Sequence, residues 1–178
     1  MKEVRFHGRG GQGAVTAAMI LAVGAFQDGK YTQAFPRFGV ERRGAPVESF
    51  TRISDSFIRR KSAVYEPDYL IVLDSTLFGA VDVTAGLKKD GMVIVNTNKS
   101  TKELGIEGLN VKTLDVSNLA MEVLGRDIVN TAMLGAFAGF TGEVSVEGII
   151  KGVEEHFSGS LAEKNIKLVK EVYEQAKG

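Results

Sequence analysis

Gly8-Arg9-Gly10-Gly11-Gln12-Gly13 stands between an extended run and a helical one, and no other feature restricts the fold so strongly. Val4 to Gly8 has the alternation of a short strand. Ala14 to Phe26 is an apolar helical run in which Val15, Ala18, Met19, Ala22 and Phe26 recur at helical spacing. A G-x-G-x-x-G sequence in that setting predicts a strand, a tight turn and a helix. Absent side chains let backbone N–H groups approach an anion, and the helix N-terminus adds partial positive charge. Arg9, Gly10, Gly11, Gln12 and Gly13 are therefore candidate ligand-binding residues. The competing possibility is a turn that binds nothing.

The remaining pattern alternates strands with helices. Tyr31–Phe35 and Val47–Ile53 predict two strands joined by a long functional loop. Tyr69–Leu73 and Met92–Val95 are continuous apolar runs, suited to strands buried on both faces. Ser75 or Thr76 is expected to cap a helix reaching Lys89, with Asp90-Gly91 as its stop. Asn110–Leu114 predicts a last strand, with Asp115 or Ser117 capping the next helix. Helices are expected at Ile128–Phe140, Val146–Phe157 and Leu161–Ala176. The sum is an α/β fold over a single domain, 1–178: a three-layer α/β/α, Rossmann-like mixed but mainly parallel sheet with C-terminal helices.

The chemistry-bearing residues narrow the function. A dinucleotide fold wants an acid about 20 residues past its glycines, on the ribose hydroxyls. No acid lies between Lys30 and Val40, and Arg37 sits there instead, with Arg42 and Arg43 beyond. Arginines at that place suit a phosphorylated ribose, which both NADP and coenzyme A carry. Ion pairs with Glu41, Glu48 or a partner chain are the alternative. Asp74 ends a buried strand and fits a helix cap better than a working acid. Asn96 and Thr97 either meet a ligand or satisfy a turn, and His7 fits a structural hydrogen bonder. No catalytic triad is visible. The chain has no cysteine, so it has no thiolate nucleophile and none of the usual iron–sulfur ligands. Its 22 basic and 22 acidic residues cancel, which argues against nucleic acid and membrane surfaces as partners. Met1-Lys2-Glu3-Val4-Arg5 leads straight into a strand, and no apolar run is long enough for a bilayer, so a cytoplasmic protein is expected.

Several separated blocks carry a resemblance. His7-Gly8-Arg9-Gly10-Gly11-Gln12-Gly13 resembles the opening motif of the gamma subunits of 2-oxoacid:ferredoxin oxidoreductases. The stretch from Gln33 to Pro46, continuing through Ser49-Phe50-Thr51-Arg52-Ile53, is similar to that family's second block. Pro67-Asp68, Asn130-Thr131-Ala132-Met133-Leu134-Gly135-Ala136 and Glu163-Lys164-Asn165 also match. Ala34-Phe35-Pro36 and Arg43-Gly44-Ala45-Pro46 resemble the pyruvate and 2-oxoisovalerate branch, whereas the 2-oxoglutarate branch more often has Arg-Gly-Gly.

The resemblance implies a multi-subunit pyruvate synthase with alpha, beta and delta companions. Thiamine diphosphate and iron–sulfur clusters belong to those companions, ferredoxin takes the electrons, and coenzyme A takes the acyl group. The gamma chain itself is implied to be an inactive scaffold that helps seat coenzyme A. Arg9 and the N–H groups of Gly10 to Gly13 would meet one phosphate, and Arg37, Arg42 or Arg43 another. A gamma subunit for 2-oxoisovalerate or another 2-oxoacid, a stand-alone NADP-binding oxidoreductase and a purely structural subunit remain as alternatives.

Overall fold

β1 (Lys2–Arg9) runs through the middle of a six-stranded sheet. The computed structural model describes residues 1–37, 39 and 42–178. The other strands are β2 (Tyr31–Pro36), β3 (Pro46–Ser54), β4 (Tyr69–Val72), β5 (Met92–Asn96) and β6 (Asn110–Leu114), in spatial order β2-β3-β1-β4-β5-β6. β1, β4, β5 and β6 are parallel, whereas β3 is antiparallel to both β1 and β2. The sheet is therefore mixed and mostly parallel, as expected, and the two predicted extended runs supply its antiparallel end.

Side chains alternate between two cores, as a period of two requires. Val4, Phe6, Ile71 and Ile94 join the larger core with α1 (Ala14–Gln27), α2 (Ser117–Leu124), α3 (Asn130–Thr141), α4 (Val146–His156) and α5 (Gly159–Lys177). Leu70, Val72, Val93 and Val95 face the other way, under Leu77, Val83, Leu104 and Ile106. That second layer is a 3-10 turn (Ser75–Gly79) and loops, not the α-helix expected up to Lys89. The reason lies in two carbonyls. Arg5, buried beneath, donates from Nη2 to the carbonyl oxygens of Val83 (2.9 Å) and Ala85 (2.6 Å), which a helix would have turned inward.

Helix α1 does not bury all of the residues that recur at helical spacing. Met19 and Phe26 are exposed (52% and 65%), while Ala17, Ala18, Leu21 and Ala25 are buried. The helix is apolar on nearly every side, so periodicity cannot choose a face. Small residues choose it instead, by allowing backbones to approach. A Cβ on Gly24 would lie 2.9 Å from the Gly148 backbone, and one on Gly152 would lie 2.5 Å from the Ile20 carbonyl oxygen. Ser49 and Thr51 on β3 donate their hydroxyls to the Ala14 and Ala18 carbonyls, each at 2.8 Å, and bind α1 to the sheet.

Candidate functional site

The parallel strands end at one edge, and there the chain turns to opposite faces. After β1 it enters α1 on the larger core. After β4 it enters the 3-10 turn on the smaller one. Such a reversal opens a crevice beyond the strand ends, the usual ligand position in open α/β sheets. The glycine turn forms one wall of it.

That turn is held by side chains from three directions. Gln12 accepts from the Arg9 N–H at 2.6 Å and donates to Asp74 at 2.9 Å. Arg9 lies 3.3 Å from Asp74, donates to the Thr76 hydroxyl (2.8 Å) and reaches the Gly44 carbonyl (3.1 Å). Asp74 also accepts from the Thr76 N–H at 2.9 Å, capping the 3-10 turn in place of Ser75 or Thr76. Burial pushes the Asp74 carboxyl up. Hydrogen bonds from Thr76 and Gln12, with the charge of Arg9, outweigh that and hold it below the ordinary carboxylate range.

The predicted anion cradle is accordingly smaller than its motif. The Gly10 N–H donates to the Ala45 carbonyl at 2.9 Å, and the Gln12 N–H to the Arg9 carbonyl at 3.0 Å. Gly44 donates back to the Gly10 carbonyl at 3.1 Å, so Gly10 and Arg43 form a parallel bridge. A Cβ on Gly10 would stand 2.3 Å from the Arg42 carbonyl oxygen. Gly10 is thus small because the arginine loop crosses it. Gly11, by contrast, faces open space with a left-handed φ of 95°.

The arginines divide in the same way. Arg37 is committed to Glu48 at 2.7 Å, one of the ion pairs foreseen as an alternative to ligand binding. Arg42 and Arg43 are exposed beside the glycine turn and form no ion pair among the described residues. Pairing with Glu41 lies outside the described residues, as do Phe38 and Val40 of the same loop.

Two cavities lined by described residues flank the turn. The first, about 270 Å³, follows the strand ends and is lined by Asp74, Asp115 and Asp127 against a single Lys99. Its carboxylates make it a poor anion site. Asn96 there donates to Leu73 O and Ser117 Oγ and accepts from Val116 N–H, and the Thr97 hydroxyl accepts from Lys99 N–H. Both satisfy turns. Neither Asp115 nor Ser117 caps α2, whose N-cap position is Val116. The second cavity, about 450 Å³, opens on the other side, between Gly11, Gly13, Arg126 and His156. Sequence reasoning missed Arg126 and His156 because they belong to no motif.

His7 is 1% exposed and accepts from Arg5 Nε at 2.9 Å. Burial and the neighbouring Arg5 charge push its imidazole down to about 4, so it is a neutral acceptor. Among the described residues no group of acids and histidines could hold a metal ion, and no helix is long and apolar enough to cross a membrane.

The separated sequence blocks meet in space. Asn130 donates to the Gly13 carbonyl at 3.3 Å, and Thr131 donates to Asn165 at 2.7 Å. A Cβ on Gly13 would collide with Asn130 Nδ2 at 2.5 Å. The family model described as pyruvate ferredoxin/flavodoxin oxidoreductase matches residues 3–175. The chain belongs to this family. It is 58% identical to a pyruvate synthase subunit PorC of Methanothermobacter thermautotrophicus, over 98% of this chain and 96% of that one. It is 57% identical to the common gamma subunit of the pyruvate/ketoisovalerate oxidoreductases of Pyrococcus furiosus, over 98% and 97%. The crystal structure of pyruvate oxidoreductase subunit PORC from Thermotoga maritima superposes with a TM-score of 0.84 at 38% identity, covering 97% of this chain and 95% of that one. The same fold occupies 31% of a longer chain in a 2-oxoglutarate:ferredoxin oxidoreductase from Magnetococcus marinus (TM-score 0.81, 16% identity, 99% of this chain). Full-length similarity to gamma subunits of this family favours that role over a stand-alone nicotinamide-binding enzyme.

Proposed function

We propose that this chain is the gamma subunit of a pyruvate synthase, a cytoplasmic pyruvate:ferredoxin oxidoreductase. The assembly converts pyruvate and coenzyme A to acetyl-CoA and carbon dioxide and passes the electrons to ferredoxin. Alpha, beta and delta companions supply thiamine diphosphate and the iron–sulfur clusters; a cysteine-free chain lacks the thiolate ligands that such clusters usually take. The gamma chain contributes a docking surface and one rim of the coenzyme A seat.

The bridge between Gly10 and Arg43 carries the seat proposal. It sets Arg42 and Arg43 beside the open backbone of Gly11, while Arg9 and Arg37 are held by protein partners. The residues fit a phosphate group: a guanidinium fork makes two parallel charge-assisted bonds to phosphate oxygens. Gly10, Gln12, Gly13, Arg9 and Arg37 then shape the rim, and Gly11, Arg42 and Arg43 face the ligand.

In the assembled enzyme, Arg42→Ala or Arg43→Ala is expected to raise the apparent constant for coenzyme A about tenfold to a hundredfold, the worth of a charge-assisted hydrogen bond. The constant for pyruvate should stay fixed. An unaltered coenzyme A constant in an intact assembly would assign the loop a purely structural role. Copurification of thiamine-diphosphate and iron–sulfur subunits with the native chain tests the assembly itself.

A further inference from the structure

The second cavity differs from the first in every property that selects a ligand. It is walled by Leu124, Ile128, Phe157 and Leu161 and has one guanidinium, Arg126, and one imidazole, His156, in its lining. No carboxylate lines it. Arg126 makes no ion pair among the described residues, and its sequence neighbour Asp127 lines the other crevice. The floor is the buried amide pair Asn130 and Asn165, whose hydrogen bonds go to Gly13, Thr131 and Leu161 and fix the shape of the space. At about 450 Å³ the cavity lies toward the small end of ligand pockets.

We propose that this cavity binds a small aliphatic carboxylate, with Arg126 on the carboxylate and the carbon skeleton among Leu124, Ile128, Phe157 and Leu161. A guanidinium pairs with a carboxylate through two parallel hydrogen bonds. One fixed cation balances one negative charge. A phosphate dianion would bring a second charge against apolar walls, where an unpaired charge is costly. The walls in turn favour a body of about four to six carbons over acetate or formate, since each buried methylene adds to binding. The ends of α1 and α3 at this cavity have no side-chain cap and no acid in their first turns, so their partial charges reinforce the preference for an anion. The arginines of the coenzyme A seat, Arg42 and Arg43, do not line this cavity, which shares only Gly11 and the rim residue Gly13 with that seat.

The test is a titration of the purified full-length chain followed by amide NMR shifts, with 3-methylbutanoate, 3-methylbutanamide, acetate and inorganic phosphate as probes. Saturable shifts at Arg126, Ile128 and Leu161 with 3-methylbutanoate are expected, with binding at least tenfold weaker for the amide, acetate and phosphate. Arg126→Gln should weaken 3-methylbutanoate at least tenfold, and Leu161→Ser severalfold. Lys99→Gln, in the other crevice, should change nothing. Arg126 and Leu161 are exposed, so neither substitution threatens folding, and an unchanged thermal melt checks this. Phosphate binding as tightly as 3-methylbutanoate, undiminished binding by Arg126→Gln, or no saturable shifts would each overturn the proposal.

Discussion

Gly10→Ala isolates the contact between the glycine turn and the arginine loop without removing a charge. The new Cβ would sit 2.3 Å from the Arg42 carbonyl oxygen and 3.3 Å from Arg43 Cα. Both neighbours are backbone atoms, so the loop must retreat by about 1 Å to restore ordinary van der Waals separation. That retreat removes Gly10 N–H to Ala45 O (2.9 Å) and Gly44 N–H to Gly10 O (3.1 Å). At about 0.5–1.5 kcal/mol net for each bond, the loop loses about 1–3 kcal/mol of local stability. Local opening, and hence hydrogen exchange at the Gly44 amide, should accelerate about fivefold to a hundredfold, while the core strands keep their protection. In the assembled enzyme the coenzyme A constant should rise as well, because Arg42 and Arg43 move with the loop. Gly11→Ala is the contrast: its Cβ meets nothing, and its cost is the left-handed φ alone. Unchanged exchange at Gly44 in a folded Gly10→Ala chain would refute the close approach.

Two further predictions concern buried ionisable groups of β1 and β3. His7 is neutral in the folded chain because burial and Arg5 push its titration down to about 4. The unfolded chain takes up this proton below the ordinary pH of about 6.5, so the contribution is fully present above that pH and is lost between 6.5 and 4, about 2 kcal/mol by pH 5. Urea midpoints between pH 7.5 and 4.5 should show this slope in the native chain and a shallower one in His7→Gln; equal slopes would count against it. Arg52 is fully buried, lies 2.8 Å from Glu3 and donates to the carbonyls of Ser62 and Ala63. Arg52→Met leaves the Glu3 charge without this partner and should cost about 3–5 kcal/mol. The expected fall in Tm is about 10 °C, partly recovered by adding Glu3→Gln, and a fall under about 3 °C would contradict the reasoning.

Much of the fold was legible because periodicity reports directly on burial. β4 and β5 are sealed on both faces, so their sequences are unbroken apolar runs, and the predicted spans fall within about one residue of the observed ones. α4 and α5 carry charges on one side and were equally readable. α1 was located but not oriented, since its apolar residues go round the helix and its contacts depend on glycines from α4. The stretch after Asp74 looked helical locally, and only the Arg5 guanidinium, about 80 residues earlier in the chain, claims its carbonyls.

The site divides along the same line. Composition and order alone determined that this chain has no thiolate chemistry, that a strand, a glycine turn and a helix open it, and that arginines follow where a dinucleotide enzyme would place an acid. Those are properties of residues, and a sequence states them outright. Which N–H groups remain open, which arginines are already paired, and which side of the turn is free of carboxylates were decided by tertiary structure. Each depends on groups distant in the chain, Gly10 with Arg43, Gln12 with Asp74 and Gly13 with Arg126, and proximity of that kind exists only once the sheet and its layers have assembled.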